Sequence, residues 1–385
     1  MPWMSSAQRR PGVNRVRASD PSPRLRVWTN DRDRWVTVTL NAANRAQFGV
    51  IDIIRRTQGD VVGAFGLNPS ECPYQTIRSR SYWRLRDYGG QNVSRPLLII
   101  AAPIRKPYIW DIAPSTSAIR LCLRQGLHVH LLEWTASPPA GNYGIDDCML
   151  AISEAVATII DAGQRAKPYV IGHSLGGTLA AIYGTYLPDG IRSLVLLSAP
   201  LCFQASESHF RDALITLVPR EISDSDPFPG SVLSYASAMA SPGTFIWSRL
   251  VDAVMSIADP LAMEIHARVE RWALDEAPLP GKLVHHIIDW LYRENRFCRG
   301  ALKIREKFIG PSSLSVETLA VVNTTDDVAP PISVRPFADA MAEEVRIIEY
   351  GGERGVCLQH LGILVGRQAR AHVWPEIISW LKSQN

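Results

Sequence analysis

The sequence lacks the features that mark membrane, secreted or repetitive proteins. Apolar stretches such as residues 96–104 fall far short of the ~18 residues that a membrane-spanning helix needs. No apolar segment follows the basic residues near the N-terminus, so we expect no secretory signal peptide and a cytoplasmic location. No internal repeat or heptad run is present. With 46% hydrophobic and 20% charged residues, the composition is typical of a globular protein with a substantial core.

Paired cysteine motifs are also missing. The six cysteines are scattered and include no Cys-x-x-Cys pair, so the pattern predicts reduced thiols and neither a zinc site nor a disulfide framework. We accordingly expect no metal and no cofactor. The cysteines are Cys72, Cys122, Cys148, Cys202, Cys298 and Cys357.

Positive charge is concentrated at the N-terminus. Residues 1–45 contain nine Arg and three Asp, whereas the net charge of the whole chain is only +4. This Arg-, Pro- and Ser-rich stretch lacks hydrophobic periodicity, so residues 1–35 are predicted to form a basic, flexible arm. Contact with nucleic acid or anionic lipid is the alternative interpretation, and we expect no nucleic-acid partner.

The rest of the chain alternates strand-like and helix-like segments. Strand patterns at 74–88, 96–102, 127–133 and 169–171 are separated by helical patterns at 115–125 and from 146 to about 163. Further strands are predicted at 191–199, 317–322 and 345–350, with helices at 334–342 and 372–381. This order predicts an α/β fold with a mostly parallel central sheet flanked by helices. Its core would comprise residues 36–202 and 316–385, with 203–315 inserted as a largely helical cap.

A nucleophile motif follows the strand at 169–171. Its residues are Gly172-His173-Ser174-Leu175-Gly176, and the next segment has a helical pattern. A sharp strand-to-helix turn needs small residues two positions before and after the nucleophile. The pattern predicts Ser174 as nucleophile and the Leu175 N–H as an oxyanion donor. A turn that merely permits tight packing is the alternative.

A serine nucleophile needs a base, and the base needs an orienting carboxylate. Asp326 lies in a loop after the predicted strand 317–322, and His360 lies in a loop after the strand 345–350. We predict Asp326 as the acid and His360 as the base. Asp327 is the alternative acid, and His372 is the only other histidine after it.

A second oxyanion donor is expected after the strand at 96–102. Pro103 has no N–H to donate, so the Ile104 N–H is the candidate. The alternative is that this loop only shapes the pocket wall.

Longer segments resemble the polyhydroxyalkanoate synthase family of the α/β-hydrolase superfamily. The resemblance spans about residues 70–370 and implies the α/β-hydrolase fold with a cap. It aligns Asp326 and His360 with the family's catalytic Asp and His. The segments that carry the resemblance are 96–112, Gln125-Gly126, Glu133-Trp134, Asp146-Asp147, Gly176-Gly177-Thr178, Leu279-Pro280-Gly281, 292–296 and Gly300-Ala301-Leu302.

Three positions depart from this family. Ser174 replaces the family's nucleophilic cysteine, Gln359 replaces the Gly before its histidine, and Asp327 replaces the His after its catalytic Asp. A serine forms an oxygen ester that water or an alcohol must release, so the exchange favours hydrolysis.

Three hypotheses follow for function. The first is a serine hydrolase of hydroxyacyl esters, including polyhydroxyalkanoate or its oligomers. The second is a synthase-like acyltransferase that uses 3-hydroxyacyl-CoA. The third is a non-catalytic protein that binds storage granules. A homodimer is compatible with all three.

Overall fold

The computed structural model describes residues 42–91, 95–135, 142–162, 166–219 and 222–384. The predicted basic arm, residues 1–35, lies outside these ranges. Among the described residues, no helix is both long enough and apolar enough to cross a bilayer.

The fold is built on one eight-stranded sheet, in the order β1-β2-β4-β3-β5-β6-β7-β8. The first two strands are antiparallel to their neighbours, and every pair from β4 through β8 is parallel. This is the mostly parallel α/β-hydrolase sheet that the sequence predicts. The strands are β1 Gln75–Ser79, β2 Trp83–Asp87, β3 Pro96–Ile100, β4 His128–Trp134, β5 Tyr169–His173, β6 Ser193–Leu197, β7 Thr318–Asn323 and β8 Arg346–Tyr350.

The central strands are buried on both faces, as expected for a parallel sheet covered by helices. In β3, Leu98 and Ile100 pack into the core on one face, while Leu97 and Ile99 pack into the core on the other. Every residue of β3, β5, β6 and β7 is buried. The sheet therefore forms a rigid base for the loops at the carboxyl ends of its strands.

Twelve α-helices occur in the described part of the chain. They are α1 Ala42–Val62, α2 Ala118–Arg124, α3 Ile145–Ala162, α4 Leu175–Tyr186, α5 His209–Leu217, α6 Gly230–Ala240, α7 Ser248–Ser256, α8 Pro260–Leu274, α9 Gly281–His285, α10 Arg335–Asp339, α11 Gly362–Val365 and α12 Trp374–Ser383.

Two local features differ from the sequence-based prediction. The stretch 74–88 forms a hairpin of β1 and β2 instead of one strand, because residues 80–82 turn between them.

Helix α1 lies where no element was predicted. Its Asp52 is buried, and its carboxylate accepts from the amides of Gly230 (3.1 Å) and Ser231 (2.8 Å) at the start of α6. Helix α1 therefore caps α6, whose N-terminal amides have no partner within their own helix.

The intervening segment, residues 198–317, connects β6 to β7 and contains helices α5 to α9. A disulfide joins its Cys202 to its Cys298, with the Cα atoms 5.1 Å apart. The prediction of six reduced cysteines is therefore wrong for this pair. The two residues are 96 positions apart, and only the return of the folded chain brings them together, so their spacing gave no signal. The other four cysteines are free and buried.

Candidate active site

Ser174 occupies the sharp turn between β5 and α4. Strand β5 ends at His173 and helix α4 begins at Leu175. Ser174 itself has φ 54° and ψ −133°, a positive-φ conformation that non-glycine residues adopt only at an energetic cost. The strained turn that the motif predicts is therefore present at this residue.

The glycines around Ser174 permit close packing of backbone on backbone. A Cβ on Gly172 would lie 2.6 Å from the carbonyl carbon of Gly176, and one on Gly176 would lie 2.3 Å from the Ile100 oxygen. A Cβ on Gly177 would lie 2.5 Å from that of Ala199. Side chains at these three positions would push α4 away from the sheet.

Asp326 and His360 form a buried pair. His360 Nδ1 lies 2.6 Å from Asp326 Oδ2. The other carboxylate oxygen, Oδ1, accepts from the amides of Val328 (2.8 Å) and Ala329 (3.1 Å). Asp326 follows β7, and His360 lies in a short 3₁₀ turn at 359–361, so loops from two adjacent parallel strands bring them together.

The electrostatics of this pair favour an ionised acid. Burial alone raises the pKa of Asp326, but the charge and hydrogen bond of His360 and the two backbone amides outweigh it. The net effect lowers the pKa of Asp326 below its usual value. An ionised Asp326 can hold the proton of His360 on Nδ1, which leaves Nε2 available as the base.

The other ring nitrogen of His360, Nε2, is buried and has no hydrogen-bond partner among the described residues. The Ser174 hydroxyl is therefore not hydrogen-bonded to it in this structure. Both residues line the same cavity. Contacts between a nucleophile and its base are often loose without substrate and tighten when it binds, so this arrangement is compatible with the predicted pairing.

His173 positions the His360 turn. Its Nε2 lies 2.8 Å from the His360 carbonyl oxygen, and the two rings pack together with centroids 4.7 Å apart. Because a carbonyl can only accept, Nε2 of His173 is the donor. Burial, followed by the proximity of His360, lowers the pKa of His173 to about 3. His173 is therefore neutral at pH 7 and acts as a fixed donor, a role that the motif alone does not reveal.

The predicted oxyanion donors belong to residues that line the same cavity as Ser174. Leu175 is the first residue of α4, and the first amides of a helix have no partner within it. Ile104 lines the cavity. The amide of Ala102 is a further candidate that the sequence reasoning missed: a Cβ on Gly176 would lie 2.9 Å from its nitrogen, so this amide adjoins the turn.

In the described part of the chain, the side chains of the alternative acid and base residues form no hydrogen bond with the Asp326–His360 pair. Asp327 Oδ2 accepts from Thr244 Oγ1 at 2.6 Å, which joins it to the intervening segment instead of His360. His372 is exposed.

Gln359, one of the departures from the synthase pattern, holds the loop before His360 in place. Its side chain donates to the Glu353 carbonyl (2.7 Å) and accepts from the Glu353 amide (3.1 Å).

A largely apolar cavity of about 460 Å³ contains Ser174 and His360. Its walls come from the carboxyl ends of central strands, from α1 and from the intervening segment. The main side chains from outside the sheet are Phe48, Ile51, Phe210, Leu214, Tyr235, Phe245, Trp272, Val284, Ile288 and Tyr292. This size and character are typical of sites for small, largely apolar ligands.

The chain is similar to polymerases of polyhydroxyalkanoates. It is 23% identical over 331 residues to the poly(3-hydroxyalkanoate) polymerase subunit PhaC of Haloferax mediterranei, covering 82% of this chain and 65% of that protein. The corresponding subunit of Synechocystis is 22% identical, covering 83% of this chain and 85% of that protein. The chain thus spans about two thirds of the length of the first relative.

A solved structure supports the fold. A Sulfolobus solfataricus protein, provisionally described as a lipase, superposes with a TM-score of 0.53 at 16% identity, covering 81% of this chain and 93% of that one. The model of the alpha/beta hydrolase fold matches residues 122–353, which is more than half of the sequence. The chain therefore belongs to the alpha/beta hydrolase fold family.

Proposed function

We propose that this protein is a serine hydrolase of hydroxyacyl esters, including polyhydroxyalkanoate oligomers or polymer. The Ser174 hydroxyl attacks the ester carbonyl and its proton passes to Nε2 of His360, while Asp326 holds the imidazole. The His360 proton then leaves with the alcohol product. Water, deprotonated by His360, releases the acyl group and regenerates Ser174.

One observation carries the proposal. Ser174 stands in a positive-φ turn at the end of a buried strand. The cavity that it lines is also lined by an Asp-paired histidine whose Nε2 has no partner in the described part of the chain. A structural serine would need neither the strained turn nor a buried imidazole with a free nitrogen.

The substrate class rests on the cavity and on the relatives. The cavity walls are apolar around a few polar groups, which suits an acyl chain bearing one reactive carbonyl. The relatives named above are polymerases of hydroxyalkanoates. An exposed apolar face on α7, which includes Leu250, Val251 and Val254, supports action at the surface of a polymer granule.

Labelling and turnover test the proposal. Wild-type protein should react with a fluorophosphonate probe and hydrolyse p-nitrophenyl acyl esters, and Ser174→Ala should do neither. Full activity in the Ser174→Ala protein would refute it.

An acyltransferase is the second candidate, because the similar proteins are polymerases. In this reaction the acyl group of a 3-hydroxyacyl-CoA moves to Ser174, and the hydroxyl of a second monomer or of the growing chain then accepts it. Parallel incubations with 3-hydroxybutyryl-CoA and with polymer granules separate the cases. Free CoA with growing polymer indicates the transferase, soluble hydroxyacids from granules indicate the hydrolase, and inertness in both indicates a granule-binding protein.

A further inference from the structure

Three metal-ligating side chains meet beside the cavity, outside the proposed catalytic residues. His266 and Glu270 lie one turn apart on α8, and Cys357 lies in the loop between β8 and His360. Their ligand atoms all lie within 4.8 Å of one another. Glu270 Oε1 is 3.2 Å from Cys357 Sγ and 3.7 Å from His266 Nε2. Zinc bonds of roughly 2.0–2.3 Å in a tetrahedral site require such separations between ligand atoms.

A buried carboxylate orients the histidine. Asp252 Oδ2 lies 3.0 Å from His266 Nδ1, so the ring carries its proton there and presents Nε2 to Glu270 and Cys357. The same carboxylate accepts from the amides of Gly355 (2.6 Å) and Cys357 (2.8 Å). Metal-bound histidines in proteins almost always have such an outer carboxylate or carbonyl partner.

The contacts of Glu270 do not use all of its lone pairs. Arg249 forms a bidentate ion pair with Glu270, in which Nε donates to Oε1 at 2.8 Å and Nη2 donates to Oε2. Each carboxylate oxygen has two lone pairs, so this ion pair and a metal bond can coexist. Cys357 has φ 64°, a conformation that a non-glycine residue adopts only at an energetic cost. It directs a thiol, a preferred zinc ligand, at the other two groups.

We propose that His266, Glu270 and Cys357 bind one zinc ion. The imidazole, carboxylate and thiolate occupy three tetrahedral positions, and water occupies the fourth. Cys357 releases its thiol proton to solvent when the metal binds. The ion would tie α8 of the intervening segment to the loop that carries His360, three residues beyond Cys357. This inference does not depend on the proposed hydrolase activity.

A second cluster provides an internal control. Asp87, His128 and His130 also bring ligand atoms together. Here Asp87 lies 2.8 Å from His128 Nε2, and the Nδ1 of His130 has no partner among the described residues. No outer carboxylate holds either ring there within the described ranges, so we expect zinc to prefer the first cluster.

Metal titration of the chelator-treated, dialysed full chain tests the site. Calorimetry with ZnCl₂ should give one ion per chain, and CoCl₂ should produce the thiolate-to-cobalt charge-transfer absorption. Cys357→Ser and His266→Gln should each abolish the absorption, and Asp252→Asn should weaken zinc binding roughly tenfold to hundredfold. Matched controls are Cys122→Ser, a buried free thiol elsewhere, and His128→Ala in the second cluster; both should bind as wild type.

Several outcomes would overturn the proposal. These are no zinc binding by the wild type, a cobalt spectrum without thiolate character, or zinc binding that survives Cys357→Ser and His266→Gln but is lost in His128→Ala. Circular dichroism of each variant establishes that it is folded. If one of the two ligand variants does not fold, the other decides.

Discussion

The central sheet and the intervening segment place their apolar residues differently. Strands β3, β5, β6 and β7 bury every residue, whereas α7 leaves Leu250, Val251 and Val254 54%, 61% and 65% exposed. Full burial makes each core position sensitive to volume, while the segment tolerates change on its outer face. In the proposed hydrolase, the sheet would fix the position of the Ser174 turn and the segment would shape the cavity around it.

The sharpest test of this contrast uses two serines that share a positive φ. Ser174 has φ 54° and Ser198, the first residue of the intervening segment, has φ 42°. Ser174→Ala should reduce ester hydrolysis by about 10⁴-fold or more, because no other nucleophile replaces the hydroxyl. Ser198→Ala should retain activity within a few fold. Equal losses in steady-state assays would mean that the Ser174 hydroxyl has no special role in the reaction.

Two neighbouring aspartates provide the next comparison. Asp326 contacts His360, whereas Asp327 contacts Thr244 of the intervening segment. Asp326→Asn should lower kcat by roughly 10⁴-fold, since it favours the wrong imidazole tautomer. Asp327→Asn should change kcat little. Stronger loss in the Asp327 variant would reverse the assignment.

The Asp326 pair also predicts a pH dependence of stability. Its lowered pKa means that the native state favours the ionised carboxylate. This contribution is fully present above the unfolded-state pKa of about 3.9 and is lost as the pH falls through the lower native pKa. Urea unfolding between pH 7 and pH 2 should show a smaller acid-induced decline in Asp326→Asn. Parallel curves for the two proteins would contradict this.

Replacing a glycine by alanine should change stability in opposite directions beside the sheet and in the intervening segment. Gly176→Ala would place a Cβ 2.3 Å from the Ile100 oxygen, whereas a Cβ on Gly243 has no neighbour within 4 Å. We expect Gly176→Ala to lower the free energy of unfolding by about 1–3 kcal/mol or more. Gly243→Ala, in a helical turn of the intervening segment, should raise it by roughly 0.5–1 kcal/mol. Destabilisation by both, measured by urea unfolding, would remove the distinction.

The smallest expected change in stability comes from substituting one of two valines. Val321 in β7 is 1% exposed and Val254 in α7 is 65% exposed. Val321→Thr should cost about 1–3 kcal/mol, because a hydroxyl enters the core, and Val254→Thr should stay within roughly 0.5 kcal/mol. Thermal denaturation of both proteins checks this. A large loss in Val254→Thr would show that α7 is covered in the native protein.

The sequence predicted the sheet better than the rest of the molecule. Buried parallel strands are continuous apolar runs, so β3 and β5 were recognisable, as was the turn between Gly172 and Gly176. Helix α1 was not predicted, although its apolar residues recur at helical spacing. Its role in capping α6 depends on a contact with residues 230 and 231, which local sequence cannot show. The Cys202–Cys298 bond and the His266, Glu270 and Cys357 cluster join distant parts of the chain, which local patterns do not reveal.

Helix α1 precedes the whole sheet, yet its Phe48, Ile51 and Arg55 help to line the cavity. In the proposed hydrolase, selectivity among acyl groups would therefore be divided between two stretches, one before the first strand and one between β6 and β7. A shortened chain that begins at β1 would keep the proposed nucleophile, acid and base but open one wall of the cavity. Swapping α1 between related proteins should accordingly transfer chain-length preference without altering the chemistry.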